Sequence, residues 1–427
     1  MKILATADTH ISATKRLGGA SPIVDGMPLA LARAAQTLGW IADVAMDDDV
    51  DLIIHAGDLY DSPRPSPQAE AVAIEALINL TEQAPVIVLV GNHDRPTGGG
   101  VHALEPLKHL APGRLVICDT PDPVSIVEGY IVSGIVPGSD AVVFPLPYPE
   151  KAAAQANTSS SEAAAQAISI GLESILAEHA RQATNLGCVT VLAAHLTLRG
   201  ASFSEFQVAP LSDIQIPAEG YWPAFDVPIA GHLHHQQDAP GTGGLPGYVG
   251  TPDRLDFGAA NISPTVTVFD TDAPTSGRGC GAEFVRHDNP SPMRFLTLDL
   301  DDRDDLKGLL LRDDVATSCY LDADDGVKFA GVDASQPAPD LQIVWRVRGD
   351  LAPDEHAIIS TVCRSWRSSG WIVSNQTTIA SEERARVSME GTNITDLGAL
   401  VDRVFEARPD LAEKREEIMD GLKEVLP

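Results

Sequence analysis

The chain is short of cysteine, of aromatic side chains and of positive charge. Its 427 residues hold five cysteines, Cys118, Cys188, Cys280, Cys319 and Cys363. They are odd in number and widely spaced, and no CxxC pair occurs. That excludes a disulfide framework and a zinc knuckle, and it points to a reduced, cytoplasmic setting. Aromatic residues make up 5%, so aliphatic side chains must carry the core. Acidic residues outnumber basic ones 60 to 30, for a net charge of −30. This excludes a protein that coats nucleic acid through bulk positive charge. A local nucleic-acid site stays open, because exposed charges are screened beyond about 8 Å at physiological salt. No apolar run reaches the roughly 18 residues of a membrane span. The run from Met1 reaches a charged residue, Asp8, too early for the apolar region of a signal peptide. What the chain does have is 44% hydrophobic residues, enough for a sizeable core in two or three domains of roughly 150 residues.

The first half alternates short apolar runs with helical patterns. Lys2–Ala7, Asp51–His55 and Pro85–Val90 read as strands, and Leu29–Met46 and Gln68–Leu80 as helices. This βαβαβ order implies a sheet with helices on its faces. Further strands are expected at Leu115–Cys118, Tyr130–Val136, Ala141–Pro145, Cys188–Ala194, Val227–Ala230 and Thr265–Phe269. The stretch Lys151–Ala167 leads into a helix through Leu176, and Asp272–Gly281 reads as a loop closing the first body. From about Met293 the pattern changes to a small α+β unit, with strands at Arg294–Leu300, Cys319–Leu321, Gln342–Val347 and Trp371–Ser374 and a helix at Glu355–Gly370. Two helices separated by Pro409 follow Arg386.

Five short motifs follow in order: Asp8-Thr9-His10, Gly57-Asp58-Leu59-Tyr60-Asp61, Gly91-Asn92-His93-Asp94, His195 after Ala193-Ala194, and Gly231-His232-Leu233-His234. Each alone has an ordinary explanation as a turn, a cap or a polar loop. Most follow an apolar strand directly, where open α/β sheets place their ligands. Gathered on one sheet edge, they form a mixed nitrogen and oxygen site without thiolate, which suits Mn²⁺, Fe²⁺ or Zn²⁺. Two divalent ions about 3.5–4 Å apart meet the needs of phosphodiester hydrolysis, polarising the phosphoryl group and lowering the pKa of a water.

These motifs resemble the signature of the calcineurin-like metallophosphoesterases, and within that superfamily the SbcD type of DNA-repair exonuclease. The narrower likeness rests on the run Gly57 to Pro67, on Tyr248-Val249-Gly250-Thr251-Pro252-Asp253-Arg254-Leu255-Asp256-Phe257-Gly258, and on the order of the segments that follow. The resemblance implies a four-layer α/β/β/α sandwich over residues 1–288, an α+β capping domain over 289–385, and C-terminal helices over 386–427 that dock an SbcC-type ATPase. It implies that Asp8, His10 and His234 hold one ion, that Asn92, His195 and His232 hold the other, and that Asp58 bridges both. His93 would face the scissile phosphate unligated, and Asp61 would hydrogen-bond to it, orient its imidazole and raise its pKa. The implied activity is that of a Mn²⁺-dependent nuclease, degrading duplex DNA from 3′ ends and cutting single strands or hairpins, as a homodimer in double-strand-break processing. Two other functions remain open at this stage: a two-metal phosphoesterase of small molecules or phosphoproteins, and a catalytically silent scaffold holding DNA ends.

Other polar residues take plainer readings. His55 is expected in the core or behind the ligands, and His235 on the opposite strand face from its neighbours. His102, His109, His179, His287 and His356 are read as structural. Arg16, Arg64, Arg95 and Arg254 stand near motif loops, where phosphate contact and simple solvation are equally compatible with the sequence.

Overall fold

The structure of the protein, a computed structural model, describes residues 1–13, 23–24, 26–152, 158, 160–203, 213–259, 261–273, 281–299, 320–322, 326–328, 343–368 and 372–379. Two-residue alternation along the strands sets its layers. Parallel strands β1 (Lys2–Thr6), β2 (Leu52–His55), β3 (Val86–Leu89) and β4 (Leu115–Cys118) lie side by side. Ile3, Ala5, Leu52, Ile54, Ile87 and Leu89 point to one face, and Leu4, Ile53, Val86 and Val88 to the other. The second face packs on helices α1 (Leu29–Asp47) and α2 (Pro67–Gln83), through Leu31, Leu38 and Ile41 of one and Val72, Leu77 and Leu80 of the other. Helix α2 begins where the sequence says it must: Pro67 opens it, and the Ser66 side chain accepts from the Ala69 amide at 3.2 Å.

The first face packs on a second sheet. It comprises β5 (Val124–Val127), β6 (Tyr130–Ser133), β7 (Ala141–Leu146), β8 (Val189–His195), β9 (Val227–Gly231), β10 (Gln237–Asp238) and β11 (Pro246–Tyr248), in the order β10-β11-β9-β8-β7-β5-β6. Helix α3 (Ser161–Ala183) covers it through Leu172, Leu176 and Ala180. The chain then returns to the first sheet as antiparallel β12 (Thr265–Asp270) and β13 (Glu283–Asp288), giving the order β13-β12-β1-β2-β3-β4. Helices, sheet, sheet and helix make the four-layer α/β/β/α sandwich that the resemblance implies.

Strands β10 and β11 were not expected, the stretch Gly241–Gly250 having read as a turn region, and three further elements differ from the sequence reading. Helix α3 starts at Ser161, where Ser160 caps the Ala163 amide, and runs on to Ala183. Strand β5 was not expected; it pairs with β6 through a turn at Glu128 and Gly129, both at positive φ. Strand β13 was not expected either. It is an exposed edge strand carrying Glu283, Arg286 and Asp288, so its composition reads as loop and only its pairing with β12 makes it a strand.

Beyond this body, β14 (Arg294–Asp299), β15 (Ile343–Leu351) and β16 (Ile372–Ile379) form a parallel three-stranded sheet, with helix α4 (Pro353–Ser368) between the last two. These match the expected α+β pattern to within a few residues at most boundaries, β15 and β16 running on past the runs read as strands. The helices expected after Arg386 lie outside the described residues. Among the described residues, no helix is long and apolar enough to cross a membrane.

Candidate metal centre

Parallel strands put their carboxyl ends on one side, and the two sheets bring those sides together. Asp8 and His10 follow β1, Asp58 follows β2, and Asn92 and His93 follow β3. His195 ends β8, and His232 and His234 follow β9. The strand exits approach closely enough to require glycine, between the sheets at Gly57 and Gly231 and within the first sheet at Gly91. A Cβ on Gly57 would lie 2.1 Å from His195 Nδ1, one on Gly91 would lie 2.0 Å from Asp58 Oδ1, and one on Gly231 would lie 2.2 Å from the Ala56 carbonyl oxygen. The backbone is bent to serve the site. Asp8, His10, Asp58 and His232 all have positive φ, at 56, 46, 55 and 96°. Non-glycine residues hold such angles only where the surroundings enforce them, and they gather at functional sites.

The side chains converge as two triads. Ligand atoms of Asp8, His10 and His234 lie within 4.8 Å of one another, as do those of Asp58, His195 and His232. The Asn92 amide oxygen joins the second triad, 3.1 Å from His195 Nε2 and 2.8 Å from His232 Nδ1. Asp58 stands between them. Its Oδ2 is 3.3 Å from His195 Nε2 and 3.7 Å from His10 Nε2, while its Oδ1 accepts from the His93 amide at 2.8 Å. Nε2 of His10 and Nε2 of His234 face each other at 3.2 Å. With both Nε2 atoms unprotonated, these two nitrogens and the Asp8 carboxylate form a donor set for a cation. His195 donates its Nδ1 proton to the Ala56 carbonyl at 2.6 Å, which points Nε2 into the site toward Asp58.

Electrostatics follow from this packing. Burial alone would raise Asp58, but His195, His10 and His93 hold its carboxyl well below the usual range. Burial alone would lower His195, yet the Asp58 carboxylate reverses this and pushes it up to about 9. His232 is lowered to about 3 by burial and by its neighbour His195, which keeps it in the neutral, ligating form. The buried Asp58 carboxylate, the neutral His232 and a His195 whose proton a cation would displace therefore fit divalent cations.

His93 is half-buried, at 34% exposure. Its Nδ1 donates to the main-chain carbonyl of Asp61 at 3.0 Å. This corrects the expected side-chain bond: the Asp61 carboxylate stays 3.9 Å from that nitrogen and lies closer to His10 Nδ1, at 3.5 Å. The carbonyl belongs to the tight turn after Asp58, whose amide-to-carbonyl bonds follow Ile11, so backbone rather than carboxylate orients the imidazole.

Residues without a role in the sequence reading also matter. Asp94 accepts from the Tyr60 amide at 3.0 Å and the Gly91 amide at 2.9 Å, pinning the second motif to the third. Burial and the nearby Asp58 push it up to about 7. Its place in Gly91-Asn92-His93-Asp94 was the available signal. The Tyr148 ring, 6.1 Å from that of His232, has no such signal, because its segment lies far from any motif. His55 is buried, with its Nε2 3.0 Å from the Thr9 hydroxyl, behind the ligands as expected. Of the arginines, Arg95 donates to the Tyr148 and Asp119 carbonyls and Arg254 to those of Ile262 and Met293, so both serve the fold. Arg64 is exposed, and Arg16 lies outside the described residues.

Comparison with known proteins agrees with this geometry. Residues 1–150 match the calcineurin-like phosphoesterase family. The SbcD component of the nuclease SbcCD from Bacillus subtilis is 26% identical over 284 residues, 63% of this chain and 66% of that protein. The SbcD component of the nuclease SbcCD from Rhodobacter capsulatus is 28% identical over 292 residues, with the same two shares. A 61-residue stretch is 46% identical to the DNA double-strand break repair protein Mre11 of Sulfurisphaera tokodaii, 14% of this chain and 16% of that protein. The matches to the two SbcD proteins thus span just under two thirds of their length. Five strand-exit motifs thus meet where the two sheets face each other, in a chain whose first 150 residues match the calcineurin-like phosphoesterase family.

Proposed function

We propose that this chain is the nuclease component of an SbcCD-type complex, hydrolysing DNA phosphodiesters with two Mn²⁺ ions. The observation that carries it is the pair of buried triads joined by Asp58, in a chain similar to SbcD proteins over 284–292 residues. Asp8, His10 and His234 would hold one ion, Asn92, His195 and His232 the other, and Asp58 both. Ions bound there supply Lewis-acid polarisation of the phosphoryl group and a nucleophilic water at neutral pH. The chain's own residues do the rest. The Asp61 carbonyl fixes His93 at Nδ1, leaving Nε2 to stabilise or protonate the leaving oxygen. The Asp58 and Asn92 side chains, held by the His93 amide and by two imidazoles, keep the oxygens of the site in place.

In the same reading, residues 289–385 cap the site, residues 386–427 dock an SbcC-type ATPase, and the protein acts on DNA as a homodimer in the cytoplasm. The activities are 3′→5′ duplex exonuclease and single-strand or hairpin endonuclease. The test is cleavage of end-labelled linear duplex DNA with Mn²⁺, beside His93→Ala. Shortening by the wild type is expected, with a loss of roughly 10²–10⁴-fold in a variant that keeps its ions. No shortening, alone or with the ATPase partner, overturns the reading. One observation favours a second substrate class: Arg95 and Arg254 are both committed to main-chain carbonyls, and the chain is strongly acidic. Hydrolysis of a small chromogenic phosphodiester without DNA cleavage would select that class.

A further inference from the structure

The turn after the last metal motif holds two parts of the chain at once. Thr251 donates its hydroxyl to the Asp8 carbonyl at 3.1 Å, sharing it with the Asp253 carbonyl at 2.8 Å. The Thr251 amide donates to the His234 carbonyl at 3.0 Å. Both Asp8 and His234 belong to one triad. Asp8 sits at φ +56°, and its own amide donates to the Gly57 carbonyl at 2.9 Å. Thr251 thus grips the far side of a strained residue whose backbone angles set the direction of its carboxylate.

Two residues on, Asp253 holds the stretch that leads into β14. Its Oδ1 accepts from the Met293 amide at 2.7 Å, and its Oδ2 from Arg33 Nη2 at 2.9 Å. The same Arg33 nitrogen donates to the Ser291 carbonyl at 2.5 Å. Arg254 Nη1 donates to the Met293 carbonyl at 3.2 Å, and Asn289 Nδ2 to the Pro252 carbonyl at 2.8 Å. Immediately beyond, Met293 and Phe295 pack on Leu29 and Phe257.

This choice of residues is not what stability alone requires. Arg33 is 4% exposed and Asp253 is 9% exposed. A buried ion pair is often no more stabilising than apolar side chains of similar volume. Apolar anchoring by Met293 and Phe295 is already present. What the pair adds is direction, because its donors and acceptors lock the register of residues 289–293 against 251–254.

We infer that Thr251 and Asp253 form a positioning relay: Asp253, with Arg33, fixes the turn to residues 289–293, and Thr251 passes that position to the main chain of Asp8 and His234. Neither residue touches substrate. The relay rests on the reading of Asp8, His10 and His234 as an ion site. Coupling of this kind is reciprocal, so a shift of residues 289–293 changes ion affinity and ion binding steadies residues 289–293.

The test uses the full chain, with Mn²⁺ binding read by titration calorimetry and hydrogen–deuterium exchange read over residues 289–295. Thr251→Val keeps volume and amide and removes only the hydroxyl. One of the two Mn²⁺ affinities is expected to fall about ten-fold, the other to stay unchanged, and Thr251→Ser to keep both at the wild-type level. In the wild type, Mn²⁺ slows exchange at the Met293 amide, and this slowing is lost in Thr251→Val. In Asp253→Asn, residues 289–295 exchange fast with or without Mn²⁺. A lower melting temperature with both affinities intact overturns the relay, because a merely structural contact behaves that way. So does wild-type exchange that ignores Mn²⁺, a result that needs no variant to fold. A wild type that takes up fewer than two ions overturns the two-ion reading itself and is seen separately, in the stoichiometry.

Discussion

Clusters of histidine and carboxylate occur in two places in the described chain, and only one reads as a metal centre. At the strand exits, Asp58 has imidazoles for ion-pair partners, and the side chains of Asp58 and His195 are 2% and 0% exposed. The second cluster, His102, Glu105 and Asp119, brings its ligand atoms equally close. Its carboxylates are 45% and 30% exposed, and Lys108 Nζ sits 2.8 Å from both. None of its three residues has a positive φ, whereas four residues at the strand exits do. The difference is the source of counter-charge. Where the chain supplies its own ammonium in a solvated setting, the carboxylates are satisfied. Where it buries a carboxylate among imidazoles and strains its backbone to do so, it has built for a cation from outside.

The strongest way to break this contrast is Asp58→Asn. Removing the carboxylate shared by the triads is expected to weaken Mn²⁺ binding by roughly 100-fold and to take phosphodiester cleavage to background. Metal content of the purified variant checks it, and retention of both ions would make the strand-exit cluster no more a metal centre than the Lys108 one.

A medium effect lies in the pH dependence. His195, pushed up to about 9, stands above its unfolded value near 6.5. Its pairing with Asp58 therefore stabilises the chelator-treated protein fully below about pH 6.5, and that stabilisation is lost as pH rises through about 9. The melting temperature of chelated protein is expected to fall over that window, and less so with Mn²⁺ present. Because the ligating form is neutral, Mn²⁺ binding at about pH 7.5 should release about one proton from His195, and none above about pH 10.5. Calorimetry in buffers of different ionisation heat measures this, and proton-free binding at the lower pH would remove His195 from the ligand set.

The smallest effect belongs to the other cluster. Lys108→Met is expected to lower the melting temperature only slightly, since partly exposed ion pairs contribute little. It should leave Mn²⁺ uptake at the strand exits unchanged. Loss of an ion in this variant, read by calorimetric stoichiometry, would contradict the contrast directly.

Much of the site was legible because ligands on strand exits must follow apolar runs. Asp8, His10, Asp58, Asn92, His93, His195, His232 and His234 all stood in such positions. The fold was legible for a similar reason: the alternation of Ile3, Leu4 and Ala5 on β1, or of Leu52, Ile53 and Ile54 on β2, marks a strand buried on both faces. What composition could not reveal were contacts made by main-chain atoms. The Ala56 carbonyl behind His195 and the Asp61 carbonyl behind His93 leave no trace in residue type. Edge strand β13 hid behind its charges, and the fold roles of Arg95 and Arg254 were hidden because Tyr148 and Met293 carbonyls distant in sequence accept from them.

The sequence by itself determined the residue types of the site, their order, and the layers that bury it, since periodicity and strand-exit position are local properties of the chain. The resemblance named the two triads and Asp58 between them, but only the tertiary structure brought their atoms together and tied the site to residues 289–293 through Thr251 and Asp253. Those pairings join residues as far apart as Asp8 and Thr251. They exist because the strand exits of two facing sheets come together at Gly57 and Gly231, a closeness that no local pattern encodes.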